Sequence, residues 1–144
     1  MSRVSTYLNF PGNAEEAFEA YRKVFGTDYL GEIVRMRDMA GPDGPQLSDA
    51  EGQLVGHAEL PILAGHVLMA TDVVESAGQQ LTVGNNVMIN LEPDTRAETD
   101  RLYAALSDGG TDSTGMQEMP WGYWGCTLDR FGIRWMFNCY EPAG

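Results

Sequence analysis

One order of elements occurs twice along the chain, and this repetition constrains the fold more than any other feature. "VSTYLNF" alternates apolar and polar residues up to a turn at Pro11-Gly12-Asn13, which predicts a strand. In "NAEEAFEAYRKVFG", Asn13 is placed to cap a helix, and Glu15 and Glu16 suit its positive end. Phe18, Tyr21, Val24 and Phe25 form its apolar stripe, and Gly26 stops it. "YLGEIVRMRD", "GQLVGHAELPI" and "HVLMATDV" follow as three strands, the first two separated by the loop "MAGPDGPQLSDAEG". After the linker "ESAGQQLTVG" the order recurs: strand "NNVMINLEPD", helix "TRAETDRLYAALSDGG", then strands ending in "MQEM", "YWGCTLD" and "IRWMFNCYE". The tripeptide Gly26-Thr27-Asp28 returns as Gly110-Thr111-Asp112, 84 residues later. The expected fold is α+β: two βαβββ modules, about 3–75 and about 84–142, in a single domain spanning 1–144.

Alternation within the strands assigns their faces. Thr6, Leu8 and Phe10 oppose Ser5, Tyr7 and Asn9, while Val87, Ile89 and Leu91 oppose Asn86, Met88 and Asn90. The apolar face is expected beneath the helices, on the outside of a cupped mixed and antiparallel sheet. The mixed face is left to wrap a small molecule.

Charge and composition exclude several functions. A net charge of -12, from 9 Lys+Arg and 21 Asp+Glu, repels a phosphate backbone or an anionic membrane, so no nucleic-acid or membrane partner is expected. No apolar stretch nears the ~20 residues that span a bilayer, and "MSRVSTYLNF" lacks the regions of a secretory signal, so a cytoplasmic location is expected. The two cysteines have no CxxC spacing, and His57 and His66 are the only histidines. No Ser-His-Asp order, P-loop or GxGxxG after a strand supports acyl transfer, nucleotide hydrolysis or dinucleotide chemistry.

The combination "YLNFPGNAEEAFEAYRKVFG", "GHAELPILAGHVLMATD" and "DRFGIRW" resembles the PhnB-like branch of the vicinal oxygen chelate superfamily, which also holds glyoxalase I, extradiol dioxygenases and bleomycin-resistance proteins. The resemblance runs from the first strand to the last. It implies paired βαβββ modules, usually in a homodimer. Metal-dependent members take one ligand from each of four strands, and carried across these fall at Ser5, Met69, Asn86 and Met136. A hydroxyl, two thioethers and an amide hold a divalent ion poorly, so the expectation is no metal and no cofactor. Some relatives carry a methyltransferase-like label, but no methyl-donor motif is found.

His57 is the strongest chemical candidate. With Leu63, Ala64 and Gly65 as a hairpin loop, His57 lies opposite Thr71 and Glu59 opposite Met69, on the mixed face. His57 with Glu59 is either an acid/base pair or a hydrogen-bonded structural histidine. His66 is expected to be a solvated loop residue. Ligand contacts are expected from Ser5, Tyr7, Met69, Asn86, Met88, Asn90, Tyr123, Arg134, Met136 and Asn138, with Met equally usable as core filler and Tyr7 and Tyr123 equally suited to a subunit interface. "PDGP" reads as a surface loop or a lid.

The run "PWGYWGCTLDRFGIRWMFNCYEP" reads as a final hairpin turning at Asp129-Arg130-Phe131-Gly132. In that register Leu128 faces Ile133, Cys126 faces Trp135 and Gly125 faces Met136. Trp124, Cys126, Trp135, Phe137 and Cys139 would lie towards the helix, and Tyr123, Thr127, Arg134, Met136 and Asn138 towards the ligand. Gly125 would leave room in front of Met136. The leading expectation is a metal-independent binder of a small organic molecule. The alternatives are an enzyme using His57 and Glu59 as acid and base, or a metal-dependent lyase or dioxygenase.

Overall fold

The structure, a computed structural model, describes residues 1–44 and 46–144. Pro45, the last residue of the "PDGP" loop, lies outside the described residues. The chain divides into two compact units, Met1–Thr82 and Val83–Gly144, each with one four-stranded mixed sheet.

In the first unit, β1 (Thr6–Phe10) leads to α1 (Ala14–Phe25), then β2 (Val34–Arg35), α2 (Met36–Met39), α3 (Asp49–Gln53), β3 (Val55–Pro61) and β4 (Val67–Asp72). The strand order is β1-β4-β3-β2, with β1 parallel to β4 and the other pairs antiparallel. The second unit repeats it: β5 (Ile89–Leu91), α4 (Arg96–Ser107), β6 (Gln117–Met119), β7 (Gly122–Leu128) and β8 (Arg134–Cys139), ordered β5-β8-β7-β6. The α+β fold and the repeated module are as expected. The two helices are offset by 82 residues at both ends, Ala14 to Arg96 and Phe25 to Ser107. The tripeptide repeat at 84 is therefore not the structural repeat: the left-handed residue after α1 is Gly26, and after α4 it is Gly109.

The helix of each unit covers one face of its sheet. Phe18 and Tyr21 of α1 are buried with Phe10, Leu60 and Leu68. Phe18 meets Phe10 edge-on at 6.2 Å between ring centroids, and Tyr103 of α4 meets Phe137 likewise at 5.3 Å.

The Asn13 side chain does not cap α1, and its oxygen is buried with no partner among the described residues. Asp72, at the end of β4, does the work instead. Its Oδ1 accepts from the Gly12 and Ala14 amides at 3.1 and 2.9 Å, and its Oδ2 from the Val55 amide at 2.9 Å. A carboxylate at the positive end of a helix satisfies donors that the first turn leaves unpaired.

Two expected strands are much shorter. "YLGEIVRMRD" forms a strand only at Val34–Arg35, where Gly56 is an extra residue on β3 between the partners His57 and Val55. A side chain at Gly56 would strike Met39, so the bulge admits α2, which turns the chain out of the sheet. "NNVMINLEPD" pairs only from Ile89, leaving Asn86 in an exposed bend. Conversely, the loop "MAGPDGPQLSDAEG" contains α3. Ser48 Oγ accepts from the Glu51 amide at 3.1 Å, and Glu51 Oε1 accepts from the Ser48 amide at 2.9 Å, a reciprocal capping box.

Candidate functional site

The face of the first sheet turned away from α1 follows from strand alternation. Tyr7 pairs with Met69 across β1 and β4, and Met69 with Glu59 across β4 and β3, as the first hairpin register required. One step on, Asn9 pairs with Thr71, and His57 pairs with Val34 of β2. This row brings a phenol, an imidazole and a carboxylate together. Tyr7 Oη lies 3.1 Å from His57 Nδ1, and His57 Nε2 lies 3.1 Å from Glu59 Oε2. The Tyr7 and His57 rings sit 5.7 Å apart, tilted by 32°. Arg3 Nη2 donates to the other carboxylate oxygen at 3.4 Å. Ser5 Oγ donates to Met69 Sδ at 3.7 Å.

The electrostatics of the group are set by these contacts. The bond from His57 holds the Glu59 carboxyl below the usual range, Arg3 adds to it, and burial opposes it. Burial pushes the Tyr7 phenol up, and the Glu59 charge pushes it further. At neutral pH the row therefore holds an anion at Glu59 and a neutral phenol at Tyr7. The His57 imidazole lies between them, with one ring nitrogen on each. His66 is not a free loop residue, because its Nε2 bonds to Thr6 Oγ1 at 2.9 Å.

In the second unit the final hairpin is shifted by one residue from the expected register. Leu128 pairs with Arg134, Thr127 with Trp135, Cys126 with Met136 and Gly125 with Phe137. The cause is Asp129, whose Oδ1 accepts from the amides of Phe131 and Ile133 and whose Oδ2 accepts from Trp135 Nε1 at 2.8 Å. Those bonds close a three-residue loop, Arg130-Phe131-Gly132, with Gly132 at φ 90°, instead of a four-residue turn. A slip of one residue exchanges the faces of the whole β7 strand.

Several assignments change accordingly. Tyr123 lies on the helix side, donating to Asp100 Oδ1 of α4 at 2.6 Å with Arg96 4.5 Å above its ring. Thr127 moves with it, whereas Trp124 and Cys126 join Met136 and Asn138 on the face turned away from α4. Gly125 does not stand before Met136: a methyl there would meet Met116 Sδ at 2.6 Å, Gly115 O at 3.0 Å and Tyr103 at 3.3 Å. Both cysteines are buried and free. They now lie on opposite faces of the sheet.

The rest of that face is built from amides and sulfur. Asn90 pairs with Met136, and Asn138 Nδ2 donates to Asn90 Oδ1 at 2.8 Å while Trp121 Nε1 donates to Asn138 Oδ1 at 3.1 Å. Cys126 Sγ lies 3.8 Å from Met88 Sδ, and burial pushes the thiol up, away from thiolate. Arg134 is committed to the loops, with Nε donating to Gly84 O at 3.3 Å and Nη2 to Asp112 at 3.5 Å. Asn86 takes no part in the sheet.

The positions at which metal-dependent relatives would hold their ion carry poor ligands in this chain. Ser5 donates to Met69, and Met136 faces Cys126; a hydroxyl and thioethers are poor ligands for a hard or borderline divalent ion. Among the described residues, no three of His, Cys, Asp and Glu are grouped to hold a metal ion. The residues present do not fit the metal of the metal-dependent relatives.

Strand alternation gives no role to Asp72, Arg3 and Trp121, and only a turn position to Asp129. Asp72 and Asp129 carry a readable signal, an acidic residue closing an otherwise apolar strand, which is affordable only where backbone amides converge on it.

Two such modules, each a four-stranded mixed sheet backed by a helix, define the glyoxalase and bleomycin-resistance class of fold. Residues 2–137 match the model of the 3-demethylubiquinone-9 3-methyltransferase family, and the chain belongs to that family. It is 27% identical over 141 residues to protein YjdN of Escherichia coli K12, covering 94% of this chain and 93% of that protein. The crystal structure of protein PA1353 from Pseudomonas aeruginosa is similar with a TM-score of 0.81 and 29% identity, over 99% of this chain and 100% of the other. A PhnB protein of Bacillus cereus shares the fold at a TM-score of 0.75 and 22% identity, over 96% and 99% of the two chains. No helix among the described residues is long and apolar enough to cross a membrane.

Proposed function

We propose that this chain is a metal-independent protein that binds a small organic molecule against the open face of its first sheet, as a cytoplasmic homodimer. The observation that carries the reading is the hydrogen-bonded row Tyr7–His57–Glu59. Polar groups held in a fixed geometry on a partly apolar sheet face are what orients a small ligand. The donor chemistry at Ser5 and Met69 supports binding without a metal.

A second reading is favoured by one feature, the 3.1 Å contact of His57 with an anionic Glu59. A carboxylate behind an imidazole stabilises the imidazolium, so the same row can act as a base on a bound ligand. The family's methyltransferase description names 3-demethylubiquinone, so its headgroup belongs among the compounds tested.

The test is a thermal-shift screen of small organic molecules, since a ligand that binds only the folded chain raises its apparent stability. A stabilising compound whose effect is lost in His57→Ala supports the site. One that acts equally on wild type, His57→Ala and Glu59→Gln places binding elsewhere. If His57→Ala binds normally but fails to turn the compound over, the acid/base reading holds. Stoichiometric nickel, zinc, iron or manganese in the purified protein sinks the metal-free claim.

A further inference from the structure

Both ring nitrogens of His57 are already engaged inside the protein, Nδ1 by Tyr7 Oη and Nε2 by Glu59 Oε2, each at 3.1 Å. A carboxylate has no hydrogen to give, so the hydrogen of the second contact sits on Nε2. A neutral imidazole protonated there has a bare Nδ1, which accepts from the Tyr7 hydroxyl. The phenol's one hydrogen is thereby used inward, and its oxygen offers only lone pairs outward. Tyr7 is also the most open member of the row, 48% exposed, whereas the His57 and Glu59 side chains are 32% and 26% exposed.

We infer that Tyr7, and not His57, is the group of this face that meets a ligand, and that the proton on His57 sets whether the Tyr7 hydroxyl accepts or donates. The inference rests on the ligand-binding reading above. With His57 neutral, the ligand atom at Tyr7 is a donor: a hydroxyl, an ammonium or an amide N–H. With a proton added at Nδ1, both ring nitrogens donate, Nε2 to Glu59 and Nδ1 to Tyr7 Oη. The Tyr7 hydrogen is then released outward and selects an acceptor, a carbonyl or a carboxylate.

An acidic ligand hydroxyl couples the two states. Its proton moves to Tyr7 Oη while the Tyr7 proton moves to His57 Nδ1. The ligand is left with an anionic oxygen, Tyr7 is again a neutral phenol, and the imidazolium formed is paired with Glu59. His57 is thus a positioning residue acting through Tyr7.

The charged groups that face the row are few. Glu59 on β3 contacts His57 directly, and Arg3, ahead of β1, contacts Glu59. On β2, Arg35 is turned to Glu15 and the Gln53 carbonyl. From β4, the residues in register with the row are Met69 and Thr71, both uncharged.

The test is nuclear magnetic resonance on the full chain, with ¹⁵N-labelled histidine and ¹³Cζ-labelled tyrosine, across the range where imidazoles titrate. The expected result at the alkaline end is the Nε2–H tautomer of His57, with Nδ1 shifted towards the free-nitrogen position in Tyr7→Phe. Tyr7 Cζ is expected to inflect at the pH where His57 titrates, and to lose that inflection in His57→Gln. An Nδ1–H tautomer, or a Tyr7 Cζ unchanged through the His57 titration, overturns the inference. These readouts need no ligand, so a screen without a binder weighs against the ligand-binding reading and leaves them standing. A binder unaffected by Tyr7→Phe overturns the Tyr7 contact while leaving ligand binding intact.

Discussion

Asp72 and Ala14, 58 residues apart, meet through a 2.9 Å hydrogen bond from the Ala14 amide to Oδ1. The same carboxylate also holds the amides of Gly12 and Val55, so one buried side chain joins the end of β4, the start of α1 and the start of β3. Bonds to a charged acceptor are worth about 1.5–3 kcal/mol each, and removing the acceptor leaves buried donors unpaired. Asp72→Ala is expected to lower unfolding stability by roughly 3 kcal/mol or more in urea titrations, and Asp72→Asn, which keeps one acceptor, by about half as much.

Glu59 carries a pH dependence whose sign follows from its contacts. Its carboxyl is held below the ordinary value by His57 first and Arg3 after it, so the folded chain prefers the anion more than the unfolded chain does. Its contribution to stability is therefore complete above the unfolded carboxylate value of about 4.3 and is lost as the pH falls through the lower folded value. The stability difference between wild type and Glu59→Gln is expected to shrink as the pH falls below about 4. Thermal melts of both proteins from about pH 5 downwards measure it, and a difference that grows on acidification across that range contradicts the assignment.

How much of this was legible in the sequence depended on whether strand registers were set by backbone or by side chains. The β3–β4 hairpin came out as expected, because its loop at Leu63–Gly65 uses left-handed Ala64 and Gly65 and requires no side chain. The β7–β8 hairpin came out one residue off, because the length of its loop is decided by the Asp129 carboxylate, a tertiary contact with Trp135 that alternation does not encode. That single residue moved Tyr123 and Gly125 to the helix side and Trp124 and Cys126 away from it. The short helix α3 was legible and missed, since Ser48-x-x-Glu51 is a capping-box spacing inside what reads as a loop. The row Tyr7–His57–Glu59 needed only strand alternation and the correct register of β3, both of which the sequence supplied.

Tyr123 should now behave as a structural residue. Its phenol is pushed up to about 12, by the bond to Asp100 first and by burial second. A folded value above the unfolded one favours the neutral phenol, so this stabilisation is full below about pH 10 and is lost as the pH rises towards about 12. Tyr29, bonded to Glu19, is raised as well, so the informative quantity is the difference between wild type and Tyr123→Phe. That difference is expected to be about 0.5–1.5 kcal/mol near neutral pH and to fall in the alkaline limb, with binding of any ligand at Tyr7 unchanged.

Gly125 gives the sharpest check on the register of the last hairpin. In the observed pairing, Gly125 is opposite Phe137, and a methyl group there enters the space held by Met116 Sδ, Gly115 O and Tyr103. The Gly115 carbonyl is backbone and cannot swing aside, while the Met116 side chain can. Gly125→Ala is therefore expected to cost about 1–3 kcal/mol as an overpacked site. Combined with Met116→Ala it should recover part of that loss, so the two substitutions are non-additive in a double-mutant cycle. Had Gly125 stood opposite Met136, on the other face, its methyl group would couple to Met136→Ala and not to Met116→Ala. Urea titrations of the six proteins, namely wild type, Gly125→Ala, Met116→Ala, Met136→Ala and the two double variants with Gly125→Ala, separate the two registers by which methionine rescues the alanine.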